Sequence, residues 1–120
     1  MAGKKLSQKE IMDNWDAVKS FLSLCEIENE NGSITMFKAQ GVYSDKTHGK
    51  SIDIPRCSMF YGTDEYGGMS LTISGIDPIK YFSKISTAFC KFKYEDGRLI
   101  ILGNDSWGTG KGDYEIQLHP

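Results

Sequence analysis

The sequence predicts a mainly β domain of the α+β class, an antiparallel barrel or two-sheet sandwich of seven or eight short strands with one N-terminal amphipathic helix. Three observations predict it. A capped apolar stripe of helical period opens the chain, the period then drops to two, and turn signals recur at short intervals through the remainder. At 120 residues, the length fits one β-rich domain over 1–120.

The helix comes first. Ser7 is a favourable N-cap, and Glu10 three positions later completes a capping box. Leu6 before the cap and Ile11 in the first turn supply the matching hydrophobic staple. Ile11, Met12, Trp15, Val18, Phe21 and Leu22 then recur every three or four residues, which places one apolar stripe on a helix from Gln8 to about Ser20. Trp15 reads as an anchor of that helix in the core.

From about residue 22 to 118 the pattern is that of strands. Leu24 to Gly32 and Phe89 to Gly97 share a spacing: a cysteine, an apolar residue two positions on, and a glycine seven positions on after Asn or Asp. Asn31-Gly32 and Asp96-Gly97 therefore mark two hairpins, with type I′ turns expected because both central residues tolerate positive φ. Glu26, Glu28 and Glu30 alternate on one strand face and read as a solvated edge that discourages pairing with another sheet. Ile52 and Ile54 alternate up to Pro55, which predicts a strand end or edge strand there. Ser58 to Tyr61 is a short mixed run, and Thr63 to Gly68 is a turn cluster. Met69, Leu71 and Ile73 face one side of a strand, and Tyr114, Ile116 and Leu118 one side of the last strand.

Composition excludes several classes of function. Fourteen basic and sixteen acidic residues leave a net charge of −2, against a nucleic-acid binder or a polybasic membrane anchor. The longest apolar run, Leu99 to Leu102, is far short of a membrane helix, and no apolar stretch follows Met1 to Lys5 as a secretory signal requires. A cytoplasmic domain with no nucleic-acid and no membrane partner is the expectation. Only Arg56 and Arg98 are available for bidentate recognition of phosphate or carboxylate.

Three cysteines, Cys25, Cys57 and Cys90, are spread too evenly for a disulfide framework, and no C-x-x-C or helical His pair suggests zinc. They read as small buried hydrophobes. The sharper reading singles out Cys57 as a reactive thiol, beside Arg56 as a pKa-lowering cation and nine residues after His48 as a base. His48 and His119 lack ligand spacing, and no carboxylate pair has a catalytic arrangement, so no catalytic residue, metal or cofactor is expected.

The most unusual stretch runs from Gly103 to Asp113, with four glycines, Trp107 and Lys111 between two apolar strands. It matches neither phosphate-binding glycine motif, because Tyr114 to Leu118 alternates like a strand. A long hairpin loop is the plain reading. Trp107 favours a contact surface, with Asp105, Trp107, Gly108, Thr109 and Lys111 as the residues that would meet a partner.

Gly108-Thr109, shortly before the C-terminal strand, resembles the exposed Gly-Thr pair of the staphostatins, small cysteine-protease inhibitors built as a lipocalin-like barrel with a helix. The resemblance covers a handful of residues and implies a lipocalin-like outline and, as one alternative, a protein inhibitor. Asp13-Asn14-Trp15 stands where true lipocalins carry G-x-W. The function expected from the sequence is a non-catalytic binding domain for a protein partner or a small apolar ligand. The alternatives are an inhibitor or immunity-type protein acting through the Trp107 loop, and a small enzyme using Cys57 or His48.

Overall fold

A computed structural model describes residues 5–47, 49–64, 68–73, 85–104 and 113–120. Among these residues one helix, α1 (Gln8–Leu22), is followed by eight strands: β1 (Glu26–Asn31), β2 (Ile34–Asp45), β3 (Lys50–Thr63), β4 (Met69–Ile73), β5 (Ile85–Ser86), β6 (Lys91–Glu95), β7 (Arg98–Asn104) and β8 (Asp113–His119). All pair antiparallel in a single sheet of order β5-β4-β3-β2-β8-β7-β6, with β1 attached to β2 off this path. The sheet curls into a half-barrel, which settles the choice between barrel and sandwich in favour of one coiled sheet.

The capping box forms as expected. The Glu10 backbone N–H donates to Ser7 Oγ at 3.2 Å, and the Ser7 backbone N–H donates to Glu10 Oε1 at 3.1 Å. Hydrogen bonding to Ser7, first from its backbone N–H and then from its side chain, holds the Glu10 carboxyl below its ordinary pKa. The helix runs one half-turn beyond Ser20, and its buried face is Ile11, Asn14, Ala17, Val18 and Phe21. This differs from the apolar stripe read from the sequence. Met12 is 50% exposed, Trp15 is half-buried, and Asn14 lies inside at 2% exposure.

Two of the strands are long. β3 passes through Pro55 instead of ending there. Ala39 pairs with Cys57 and Gly41 with Ile54, so Gln40 faces two residues, Pro55 and Arg56, and the proline's missing N–H is absorbed in a β-bulge. β2 changes neighbours at the same level. Its first half, Ile34 to Lys38, pairs with β1, and its second half, Gln40 to Asp45, pairs with β8. Gly41 is required at this crossing, since a Cβ there would lie 1.9 Å from the Gln117 carbonyl oxygen.

The two hairpin signals resolve differently. Asp96 and Gly97 both have positive φ, 53° and 76°, as a type I′ turn demands. In the first hairpin Asn31 pairs with Ile34, so the turn residues are Gly32 and Ser33, and only Gly32 has positive φ, at 61°. That is the type II′ requirement, and it moves the turn one residue along the chain. A bulge at Glu28 then puts Glu26 opposite Lys38 and Glu30 opposite Thr35. The three glutamates therefore do not share a face. Glu26 is held by Arg56 Nη2 at 2.8 Å, and Glu28 accepts from Ser58 Oγ at 2.6 Å.

Phe21, Phe37, Met59, Leu71, Ile73, Leu99, Ile101, Ile116 and Leu118 fill the concave side of the sheet, and each is fully buried. Phe21 of α1 meets Phe37 of β2 edge-on, with ring centroids 6.3 Å apart. Helix α1 lies chiefly against β6 and closes the seam left between β5 and β6, the two ends of the sheet.

Candidate functional site

The interior of the half-barrel is occupied by its own side chains, and space for a ligand lies at one end of it. A cavity of about 410 Å³ opens between the second half of α1, the tip of the β1–β2 hairpin, the end of β3 and the start of β4. Trp15, Leu22, Tyr61 and Met69 form its apolar walls, while Ser33 and Thr35 add hydroxyls. Asp16 and Lys19, three residues apart on α1, bring opposite charges to its rim. The volume is at the small end of the range for small-molecule sites.

The wall residues are set by strand register. Thr35 pairs with Tyr61 and Tyr61 with Leu71, so Tyr61 sits on a strand bonded on both sides, with its side chain turned inward. Trp15 is fixed by its indole N–H, which donates to Thr87 Oγ1 at 3.0 Å. Thr87 Oγ1 also accepts from the Met69 backbone N–H at 3.0 Å, so a single hydroxyl positions two walls.

Tyr61 is the unusual member. The residue is 7% exposed, and its hydroxyl is buried with no hydrogen-bond partner, the single such side-chain atom among the described residues. A buried polar group left unpaired is rare and costly. Burial, with the charge of Asp64 as the lesser cause, pushes its pKa well above the ordinary value for tyrosine, so the hydroxyl keeps its proton.

A second depression, about 420 Å³, lies on the outer face of the sheet over Gly62, between Ile34, Phe60, Thr63, Asp64, Ser70 and Thr72. The Asp64 and Ser70 side chains there already have partners. Asp64 Oδ2 accepts from Ser70 Oγ at 2.8 Å and Ser86 Oγ at 2.7 Å, and Oδ1 accepts from the Gly68 backbone N–H at 3.0 Å. This carboxylate ties the β3–β4 connection to β5.

Of the residues singled out in the sequence, Asp105, Trp107, Gly108, Thr109, Lys111 and His48 lie outside the described residues. Cys57 is half-buried on β3 beside the bulge. Burial pushes its thiol up, and the one offsetting cation is Lys38. Arg56 is bonded to Glu26, and its charge acts on Cys25, whose thiol burial nevertheless raises to about 11. All three cysteines carry free thiols. Among the described residues no cluster of His, Cys, Asp or Glu is arranged to hold a metal, and no helix is long and apolar enough to cross a membrane.

Sequence reasoning passed over Tyr61 because it closes a run with no clean alternation, Ser58 to Tyr61. Its place at the cavity depends on a register that reaches across three strands and a helix. No protein-family model, curated protein or solved structure matches the chain.

Proposed function

We propose that this protein is a non-catalytic binding domain that takes a small apolar ligand into the cavity between α1 and the β1–β2 hairpin. The observation that carries the proposal is the combination of the apolar walls, Trp15, Leu22, Tyr61 and Met69, with the two hydroxyl residues Ser33 and Thr35. Ligand sites are mostly apolar, with a few placed polar groups that set orientation, and this cavity has that composition. The neighbouring Asp64, Ser70 and Ser86 side chains bond one another, so they are already committed to holding the fold.

The test uses N-phenyl-1-naphthylamine, a neutral apolar fluorophore. Binding brightens and blue-shifts its emission in the wild-type protein. Thr35→Phe, which fills the cavity from β2, abolishes the signal, whereas Thr72→Phe on the outer face leaves it intact. Loss of signal in Thr72→Phe with retention in Thr35→Phe would move the site to the outer depression and overturn the proposal.

A further inference from the structure

We infer that Thr87, a residue outside the cavity lining, is the positioning residue that sets the cavity's affinity, because its hydroxyl holds the Trp15 wall and the Met69 wall together. The inference rests on reading the cavity as a ligand site and adds a residue to it.

Thr87 directly follows β5 and is completely buried. Ser70 pairs with Ser86 and Leu71 with Ile85, so Met69 and Thr87 come next in the same antiparallel register. One bond of that pair is ordinary: the Thr87 backbone N–H donates to the Met69 carbonyl at 2.7 Å. The return bond is not. The Thr87 carbonyl is turned to the helix, where it accepts from Asn14 Nδ2 at 2.8 Å. Thr87 Oγ1 takes the place of that carbonyl in the ladder and accepts from the Met69 backbone N–H at 3.0 Å.

The same oxygen accepts from Trp15 Nε1, also at 3.0 Å. A hydroxyl oxygen has two lone pairs, and these two donors use both. Gly68 leaves room for it, since a Cβ there would lie 2.9 Å from Thr87 Oγ1. Adjacent helix residues thus end on one residue of the sheet, Asn14 at its carbonyl and Trp15 at its hydroxyl. The first bond docks α1, and the second fixes a wall of the cavity.

The two roles are separable, because the Asn14 bond goes to the backbone and survives a change of side chain. Valine has nearly the shape of threonine and lacks the acceptor. In Thr87→Val the half-buried indole N–H loses its partner, and the ring gains by turning that group to water, which draws the wall away from the cavity. The Met69 N–H loses its acceptor in the same step.

The test titrates N-phenyl-1-naphthylamine, followed by its emission, into the wild type, Thr87→Val and Thr87→Ser. Thr87→Val is expected to bind about tenfold more weakly, the worth of one hydrogen bond. Thr87→Ser, which keeps the hydroxyl, should bind as the wild type does. Without ligand, the Trp15 indole N–H should exchange with water faster in Thr87→Val and at the wild-type rate in Thr87→Ser. Benzothienylalanine placed at position 15 swaps the indole N–H for sulfur in a ring of the same size. It should lose the same factor, and it carries the test if Thr87→Val fails to fold. Wild-type affinity in folded Thr87→Val or in the sulfur analogue would overturn the inference and leave the cavity reading standing. A loss in Thr87→Ser equal to that in Thr87→Val would overturn it too, since side-chain shape and not the hydroxyl would then decide. Absence of binding to the wild type would overturn the cavity reading, and this inference with it.

Discussion

The backbone N–H of Phe92 donates to Asn14 Oδ1 at 2.9 Å, and this bond joins the helix to the free edge of β6. The same amide donates from Nδ2 to the carbonyls of Thr87 and Cys90, both at 2.8 Å. Residues 87–90 are the connection between β5 and β6, the two ends of the curled sheet. One helical side chain thus takes the place of a missing strand at the seam and satisfies three buried backbone groups. The Leu6 backbone N–H, bonded to the Ala88 carbonyl at 2.8 Å, secures the segment before the helix to the same connection.

Asn14→Ala is therefore expected to cost about 3 kcal/mol or more, because three buried backbone groups lose their partner at once. Urea denaturation measures it. Asn14→Asp should be no milder, since a carboxylate oxygen would face the Thr87 and Cys90 carbonyls in place of a donor. A loss below 1 kcal/mol for the alanine variant would show that the seam closes without the amide.

Gly41→Ala is expected to destabilise by about 3 kcal/mol, because the added methyl collides with the Gln117 backbone and strand β8 must shift. Gly32→Ala meets no neighbouring atom and suffers only the strain of its positive φ. The thermal midpoints of the two variants should therefore fall in the order wild type, Gly32→Ala, Gly41→Ala.

Stability should fall at both ends of the pH range. Glu10, held down by its bonds to Ser7, and Glu115, held down chiefly by Gln117, have folded pKa values below their ordinary 4.5. Their contribution is present above that value and is lost as pH falls through the folded values. The thiols behave oppositely. Cys25 rises from 9.0 to about 11 on folding, and Cys57 and Cys90 also rise, all chiefly through burial. Stability is complete below pH 9.0 and declines as the unfolded chain releases these protons first. Cys25→Ser should flatten the decline between pH 9.0 and about 11, as read from urea midpoints across that range.

Tyr61→Phe should stabilise the ligand-free protein by about 1–3 kcal/mol, because it removes a buried hydroxyl that has no partner. A destabilised Tyr61→Phe would show that the hydroxyl is bonded in the free protein.

Much of the fold can be read from local chemistry. Ser7 and Glu10 announce the helix start, and Asp96-Gly97 announces a type I′ hairpin, because each motif satisfies its own backbone needs within a few residues. Pro55 reads as a strand end or an edge, and only the edge holds: a bulge opposite Gln40 keeps β3 intact, while β4 pairs with Met59 to Thr63 alone, so among the described residues the Pro55 stretch is bonded on one side, to β2. Asn14 was discoverable in part. It stands three residues after Ile11 and four before Val18, on the buried stripe itself, where a polar residue calls for partners. Those partners lie more than seventy residues away in sequence. The cavity was the least legible feature, since the helix, one hairpin tip and two strand ends must converge before it exists.

The most direct test of the cavity as a ligand site is a two-dimensional amide NMR titration of the intact protein with N-phenyl-1-naphthylamine. The expected shifts cluster on Trp15, Lys19, Leu22, Gly32, Ser33, Thr35, Tyr61 and Met69, with the Trp15 indole N–H among the largest. Shifts centred instead on Ile34, Phe60 and Thr72, or no saturable shifts at all, would contradict it.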